Sequence, residues 1–202
     1  MKIIHICPHS WGSNCYLLVS GGEAFVVDPS PSATAIIKMA ADAGAEIRGI
    51  LLTHGHFDHV ISAETLHEST DAPVMIHRDD SDMLSDPEKN AYRTFFGQDR
   101  AFRPADRLLD NGELLTLGGE QIRVMHTPGH TRGSACFVTD NFIVTGDTLF
   151  AEGYGRVDLY GGDMNQMIAS LKALAALPRE LTIYPGHGAS STLDNALSLL
   201  GL

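Results

Sequence analysis

The residues best suited to chemistry lie together in the run His54-Gly55-His56-Phe57-Asp58-His59. The pattern H-x-H-x-D-H places four potential metal ligands in one turn, which is enough for two adjacent metal ions. Imidazole nitrogens suit zinc, iron and similar cations, and a carboxylate can join or bridge them. Because a structural zinc site more often uses thiolates, this mixture predicts a hydrolytic or oxygen-handling metal centre.

Three later segments each carry one further donor in a glycine-containing turn that follows a predicted strand. They are Pro128-Gly129-His130-Thr131, Thr145-Gly146-Asp147-Thr148 and Pro185-Gly186-His187-Gly188. Side chains at positions 54, 56, 58 and 59 would point in different directions along one regular helix, whereas an irregular turn can aim them all inward. Gly55 is expected to supply the backbone freedom for that turn.

Short apolar runs separated by Gly and Ser turns predict the strands that position these donors. In the first half they cover residues 2–7, 15–19, 24–27 and 47–53, and in the second half residues 114–117, 121–126, 134–139, 142–145 and 181–184. Helical spacing predicts helices over residues 33–43, 163–177 and 192–200, and one that runs from Asp58 to about His67. The two similarly ordered halves predict a sheet sandwich flanked by helices.

Two local features bear on the site and its surroundings. Asp58 and His59 are expected at a strand-to-helix junction, where backbone amides can hold an acidic side chain. Segment 78–106 is polar and interrupted by prolines, and we interpret it as a cap of short helical pieces beside the site. In the helix over 163–177 the following residues share a face that is expected to pack in the core: Met164, Met167, Ile168, Leu171 and Leu174.

Composition limits the broad class of protein. With 202 residues, 44% of them hydrophobic, the chain suits a single domain over residues 1–202. Fourteen Lys and Arg against twenty-five Asp and Glu give a net charge of −11, which disfavours a nucleic-acid partner. Cys7, Cys15 and Cys136 form no disulfide framework, and no secretion signal or membrane-span length is found. We therefore expect a cytoplasmic protein without a membrane partner.

The ordered motifs resemble the metallo-β-lactamase superfamily. The resemblance rests on Asp28 at an early strand end, then T-H-G-H-F-D-H, P-G-H-T, G-D-T-L-F and P-G-H-G. It implies an α+β fold, a four-layer αβ/βα sandwich of two mixed β-sheets flanked by helices. The metal ligands that it implies are His54, His56 and His130 for one ion, Asp58, His59 and His187 for the other, and Asp147 as the bridge. Asp28 is interpreted as a carboxylate that orients a metal-binding histidine.

Within that superfamily the chain looks like a short glyoxalase-II-like hydrolase. The elements that carry this similarity are residues 146–150 and Gly153-Tyr154-Gly155-Arg156. The similarity implies hydrolysis of a thioester such as an S-acyl glutathione, with Arg156 contacting the substrate. Arg156 could equally be an ion-pair partner of Asp158. Because only fifteen residues follow His187, no C-terminal glutathione-binding helical domain is expected.

Four other interpretations remain open to different degrees. The Gly-Arg-x-Asp element at Gly155 also occurs in persulfide dioxygenases, which resemble this chain and use one iron. A noncatalytic metal-binding scaffold is a further alternative, and a nuclease is disfavoured by the acidic charge. Antibiotic hydrolysis is disfavoured because the β-lactamase branches do not share the bridging carboxylate at Asp147. The histidines outside the motifs are expected to be ordinary surface or core residues: His5, His9, His67, His77 and His126.

The favoured mechanism uses two divalent metal ions, with zinc placed first and iron or manganese as alternatives. A hydroxide shared by the ions would attack the carbonyl of a small-molecule thioester, such as a conjugate of glutathione or another thiol. Asp58 is assigned a catalytic role because it would orient that hydroxide in addition to binding metal. Neither a Ser nor a Cys nucleophile is required, and Cys136 is expected to be a small buried residue.

Overall fold

The first sheet is built from the N-terminal half of the chain. The computed structural model describes residues 1–6 and 12–202, so the predicted strand end at Cys7 and the prediction for His9 lie outside the described residues. The strands of this sheet are β1 (Lys2–Ile6), β2 (Cys15–Ser20), β3 (Glu23–Val27), β4 (Glu46–Leu52), β5 (Val74–His77) and β6 (Arg107–Leu109), in that spatial order. β1 to β3 pair antiparallel, whereas β3 to β6 pair parallel.

The second sheet is built from the C-terminal half. Its strands are β7 (Leu114–Leu117), β8 (Glu120–His126), β9 (Ala135–Val138), β10 (Phe142–Gly146), β11 (Thr182–Pro185) and β12 (Ser191–Thr192), again in chain order across the sheet. Only the β10–β11 pair among these described strands is parallel. Both sheets are therefore mixed, as the family resemblance implies.

The described residues form six helices, of which the four longest pack on the outer faces of the two sheets. They are α1 (Ala33–Asp42), α2 (Phe57–Val60), α3 (Ala63–Thr70), α4 (Tyr92–Phe96), α5 (Met164–Leu174) and α6 (Leu193–Ser198), with a 3₁₀ turn at Arg78–Asp80. Their ends follow ordinary capping chemistry: the Asp163 carboxylate, for example, accepts hydrogen bonds from the first backbone amides of α5. None of the helices in the described residues has the length and apolar character needed to cross a membrane.

Three apolar clusters hold the layers together. Ile36 of α1 and Leu66 of α3 pack on the first sheet, and Leu171 of α5 packs with Leu197 of α6 on the second. The third cluster lies between the sheets and includes Phe137 of β9. The predicted four-layer sandwich is confirmed.

Two helix predictions are partly wrong. The helix predicted to continue from Asp58 is broken after Val60, because the amide of Ser62 donates to the carbonyl of Pro29 and not to that of Asp58. In α5, Met167 is buried, but Met164 and Ile168 are exposed, so the core-facing stripe is narrower than predicted. The first difference comes from a partner distant in sequence.

Candidate metal centre

The histidine run lies where β4 ends and α2 begins. His56 is the N-cap residue of α2 and has an extended backbone, so the chain turns sharply between strand and helix. The rings of His54, His56 and His59 are all buried. A Cβ at Gly55 would lie 2.7 Å from Cβ of Met83, so Gly55 supplies space; its φ is not positive, and the predicted need for unusual backbone freedom is wrong.

The second sheet supplies the remaining donors from three loops. His130 follows β8, Asp147 directly follows β10, and His187 follows β11. The parallel pairing of β10 with β11 brings the last two loops side by side. His130 and Asp147 are buried, whereas His187 is partly exposed.

These side chains converge into two groups whose ligand atoms all lie within 4.8 Å of one another. The groups are His54, His56 and His130, and Asp58, His59 and His187. Each group combines donors from both sheets. These two groups have the membership that the resemblance implies for the two ligand sets, and a third group of His54, His59 and Asp147 joins them.

Asp147 lies between the two groups. Its Oδ1 is 3.4 Å from Nε2 of His59, and its Oδ2 is 3.6 Å from Nε2 of His130 and 3.6 Å from Nε2 of His187. One carboxylate is thus near ligand atoms of both sets, as a bridging ligand must be. The structure brings all the predicted metal ligands together.

Hydrogen bonds fix the orientation of three rings. Oδ2 of Asp28 accepts from Nδ1 of His59 at 2.8 Å, and it also accepts from the hydroxyl of Thr53, which in turn lies 3.1 Å from Nδ1 of His54. Nδ1 of His130 donates to the carbonyl of Arg156 at 2.6 Å. With Nδ1 donating in these contacts, Nε2 is the nitrogen of each ring that a cation would bind, and Nε2 of His130 lies 2.9 Å from Nδ1 of His56, so these two atoms face each other across one candidate position. Asp28 has the orienting contacts predicted for it.

Several donor atoms have no hydrogen-bond partner among the described residues. The buried atoms without a partner are Nε2 of His54, His56 and His59 and Oδ1 of Asp147. A buried polar atom without a partner is costly, and native proteins leave few of them. The atoms of His54, His59 and Asp147 fit bound cations, because a metal ion would use these lone pairs, whereas His56 turns Nδ1 towards Nε2 of His130 at 2.9 Å. The residues present therefore fit a metal centre.

The electrostatics of the site also favour cations. Burial, reinforced by neighbouring histidines, holds the pKa of His54 and of His56 well below the ordinary value, which keeps both rings in the neutral form that binds metal. Burial would lower the pKa of His59 as well, but Asp58, Asp28 and Asp147 outweigh it and raise that pKa to about 10. The carboxylates thus create a negative field that divalent ions would neutralise.

Asp80 is a site residue that the sequence reasoning missed. This buried carboxylate accepts hydrogen bonds from the amide of Gly55 at 3.1 Å, the amide of Gly133 at 2.6 Å and the hydroxyl of Thr131 at 2.6 Å. It therefore joins the loop of the histidine run to the loop of His130. Burial raises the pKa of Asp80 from 3.8 to about 6. In sequence it is one of several acidic residues in a polar segment, and nothing marks it as buried.

Two histidines outside the motifs form a further possible donor group with Asp79. The rings of His77 and His126 stack at 4.0 Å between centroids, and Nε2 of His126 donates to the carbonyl of Arg132 at 2.8 Å. That nitrogen therefore carries a proton and offers no lone pair. The contacts agree with the ordinary packing role predicted for these histidines.

The donors open onto a cavity of about 450 Å³. Five of the predicted ligand side chains line it, namely His56, Asp58, His130, Asp147 and His187. Arg156 also lines the cavity, and its guanidinium binds the carboxylate of Asp158 through two contacts of 2.6 and 2.7 Å. The ion pair that the sequence offered as one of two roles for Arg156 is therefore present. Segment 78–106 reaches the cavity through Ala91 and Phe95.

Comparisons with known proteins agree with this geometry. A family model described as the metallo-beta-lactamase superfamily matches residues 10–187. The probable metallo-hydrolase YqgX of Bacillus subtilis is 31% identical over 179 residues, which are 87% of this chain and 85% of that protein.

Solved structures share both the fold and part of the sequence. The crystal structure of BLEG-1, named a B3 metallo-beta-lactamase, superposes with a TM-score of 0.90 at 32% identity, covering 98% of this chain and 97% of that one. TTHA1623, crystallised in a di-iron-bound form, gives a TM-score of 0.84 at 32% identity, covering 95% and 96%.

Proposed function

The chain belongs to the metallo-β-lactamase superfamily, and from this premise we propose that it is a metal-dependent hydrolase that cleaves a thioester of a small thiol, such as an S-acyl glutathione. The observation that carries the proposal is the open cavity lined by members of both donor groups and by Asp147. A purely structural metal site is normally closed by its ligands, whereas a catalytic one leaves room for solvent and substrate.

We assign the two ligand sets and the bridging role of Asp147 as the resemblance implies them. The unpaired nitrogens of His54 and His59, and the approach of Nδ1 of His56 to Nε2 of His130, support this assignment. The nitrogen and oxygen donors suit zinc, iron or manganese. Zinc is our first choice for a hydrolase, and the di-iron form of TTHA1623 makes iron the principal alternative.

Divalent ions held here would lower the pKa of water towards neutrality and polarise a carbonyl group. The protein's own contribution centres on Asp58. Burial would raise the pKa of Asp58, but His59 and His187 hold it well below its usual range, so the carboxylate is ionised. It lines the cavity, with Oδ2 3.2 Å from Nε2 of His187, and from there it can accept a hydrogen bond from a water molecule and orient it towards the substrate.

A cysteine nucleophile has no support in the described residues. Cys136 is fully buried, does not line the cavity, and its burial raises the pKa of its thiol to about 11. A thiol that stays protonated at neutral pH is a poor nucleophile. The sequence-based interpretation of Cys136 as a small buried residue agrees with its burial.

The proposal is tested by metal analysis, thioester hydrolysis and persulfide-dependent oxygen uptake on the same preparations. We expect two divalent ions per chain and hydrolysis of an S-acyl thioester. His187→Ala should reduce both, whereas His67→Ala, a partly buried histidine outside the donor groups, should change neither. Iron with oxygen uptake and without hydrolysis would favour the persulfide dioxygenase instead, and bound metal without any turnover would favour a noncatalytic scaffold.

Hydrolysis of a β-lactam is a second candidate. It is favoured by the 32% identity to BLEG-1 over nearly the whole of both chains. The reaction again requires attack on a carbonyl, so the same donors would serve it. Measuring a penicillin, a cephalosporin and a carbapenem beside the thioesters ranks the two substrate classes by kcat/KM.

A further inference from the structure

The cavity beside the metal ligands has an apolar wall that the proposed chemistry does not use. Phe57, Phe95, Phe150 and Leu159 line it. The Phe95 side chain belongs to α4 and remains 51% exposed. A large aromatic ring left exposed beside a catalytic cavity is a ready contact surface for an apolar group of a ligand.

Phe57 connects the apolar wall to the loop that carries the histidine run. This residue stands between His56 and Asp58, and its ring centroid lies 5.5 Å from that of Phe95 and 5.3 Å from that of Phe96. The amide of Phe57 also donates to the carbonyl of Asn90 at 3.0 Å, just before α4. The position of α4 is therefore tied directly to the metal donors, so a group that contacts Phe95 is held at a defined distance from them.

The charge beside this wall is already neutralised. Among the described residues that line the cavity, Arg156 is the one Lys or Arg side chain. Its guanidinium is bound at both Nε and Nη2 by Asp158, and it lies 6.0 Å from the centre of the Phe95 ring. A substrate carboxylate would have to displace Asp158 from the same two-point contact. The cavity rim is thus better suited to an apolar group than to an anionic one.

We propose that Phe95 determines specificity and that the substrate carries a flat apolar group next to the scissile carbonyl, packed against this ring. The inference rests on the proposed thioester hydrolysis and narrows its substrate class. The apolar group can belong to the acyl part or to the thiol part, since both flank the carbonyl. Aromatic contacts of this kind select between substrates by roughly tenfold.

Two pairs of uncharged thioesters show whether the apolar group belongs to the acyl part or to the thiol part of the substrate. The first pair is the S-acetyl and S-phenylacetyl thioesters of N-acetylcysteamine, and the second is the S-ethyl and S-(2-phenylethyl) esters of thioacetic acid. We expect kcat/KM to be about tenfold higher for the phenyl member of one pair. Phe95→Ala should remove most of that preference. Phe96→Ala is the matched control, because Phe96 is 47% exposed on the same helix and packs on Phe57 but does not line the cavity.

Equal rates within both pairs, or equal effects of the two alanine variants, would overturn the assignment. If no thioester is hydrolysed, the proposed function fails separately, and binding still tests the inference. For this the S-ethyl and S-(2-phenylethyl) thioethers of N-acetylcysteamine, which cannot be hydrolysed, are titrated calorimetrically. We expect about tenfold tighter binding of the phenyl compound by the wild type and not by Phe95→Ala. Equal binding of the two compounds by the wild type contradicts the proposal.

Asp158→Asn tests whether the ion pair with Asp158 prevents Arg156 from binding a substrate carboxylate. Freeing Arg156 should lower KM for S-acetyl glutathione, which carries carboxylates, and leave KM for the uncharged S-acetyl N-acetylcysteamine unchanged. An unchanged KM for both substrates, or an equal fall in both, would show that Asp158 does not prevent Arg156 from binding a carboxylate.

Discussion

Replacing Asp80 with asparagine should change how stability depends on pH. The folded protein raises the pKa of this buried carboxyl from 3.8 to about 6. One pKa unit corresponds to about 1.4 kcal/mol. Ionisation of Asp80 therefore lowers the unfolding free energy of the protein by about 3 kcal/mol. Between these two pKa values the folded state holds more protons at Asp80 than the unfolded state does, so stability falls as pH rises through this window.

Asparagine has nearly the same shape as aspartate but has no carboxyl group to titrate. Its amide group would face one of the three donors that now bind Asp80, which costs about 1–3 kcal/mol at every pH. That offset does not depend on pH. The difference in unfolding free energy, wild type minus Asp80→Asn, should therefore fall by about 2 kcal/mol between pH 4 and pH 7, because the unfolded carboxyl is already partly ionised at pH 4.

Urea unfolding followed by circular dichroism, with metal removed by a chelator, measures this difference. The chelator prevents metal release from contributing its own pH dependence. Asp79→Asn is the control, because Asp79 is the neighbouring, half-exposed carboxylate and accepts none of the three hydrogen bonds. The reasoning is refuted if the difference in unfolding free energy between the wild type and Asp80→Asn does not change from pH 4 to pH 7.

Three further substitutions test the metal centre and its frame. Asp147→Ala should reduce the metal content to at most one ion per chain and abolish hydrolysis, because it removes the carboxylate that lies between both donor groups; mass spectrometry that still finds two ions contradicts this. Asp28→Asn should weaken metal affinity by about 10- to 100-fold in a chelator competition, since His59 loses its charged acceptor; unchanged affinity would remove Asp28 from that role. Gly129→Ala should cost more than about 2 kcal/mol of unfolding free energy, because its added Cβ would overlap the backbone of α5, whereas Gly188→Ala, also at positive φ but with open space around it, should cost less.

The parts of the molecule that sequence predicts well are those specified by local patterns. Apolar runs bounded by turns identified most of the strands that lead to the candidate site, and the ordered motifs identified side chains that converge there. β5 and β6 were missed because Val74–His77 and Arg107–Leu109 are short and pair parallel with strands distant in sequence.

The parts that could not be predicted depend on partners distant in the chain. Asp80 acquires its role only because the folded chain brings Gly55 and Gly133 against it. The break between α2 and α3 likewise depends on the bond from Ser62 to Pro29. No periodicity or propensity within a window of ten or fifteen residues contains that information.

The mixed origin of the donor groups has a mechanical consequence. In each group the donors from the loop after β4 face a donor from the second sheet, so a bound ion would act as a noncovalent cross-link between the two sheets. Metal binding and the packing of the two sheets are then thermodynamically linked, so each stabilises the other. A substitution that loosens the packing around Phe137, with no contact to any ligand, should therefore make the ions dissociate faster, and metal loading should in turn slow the separation of the sheets during unfolding.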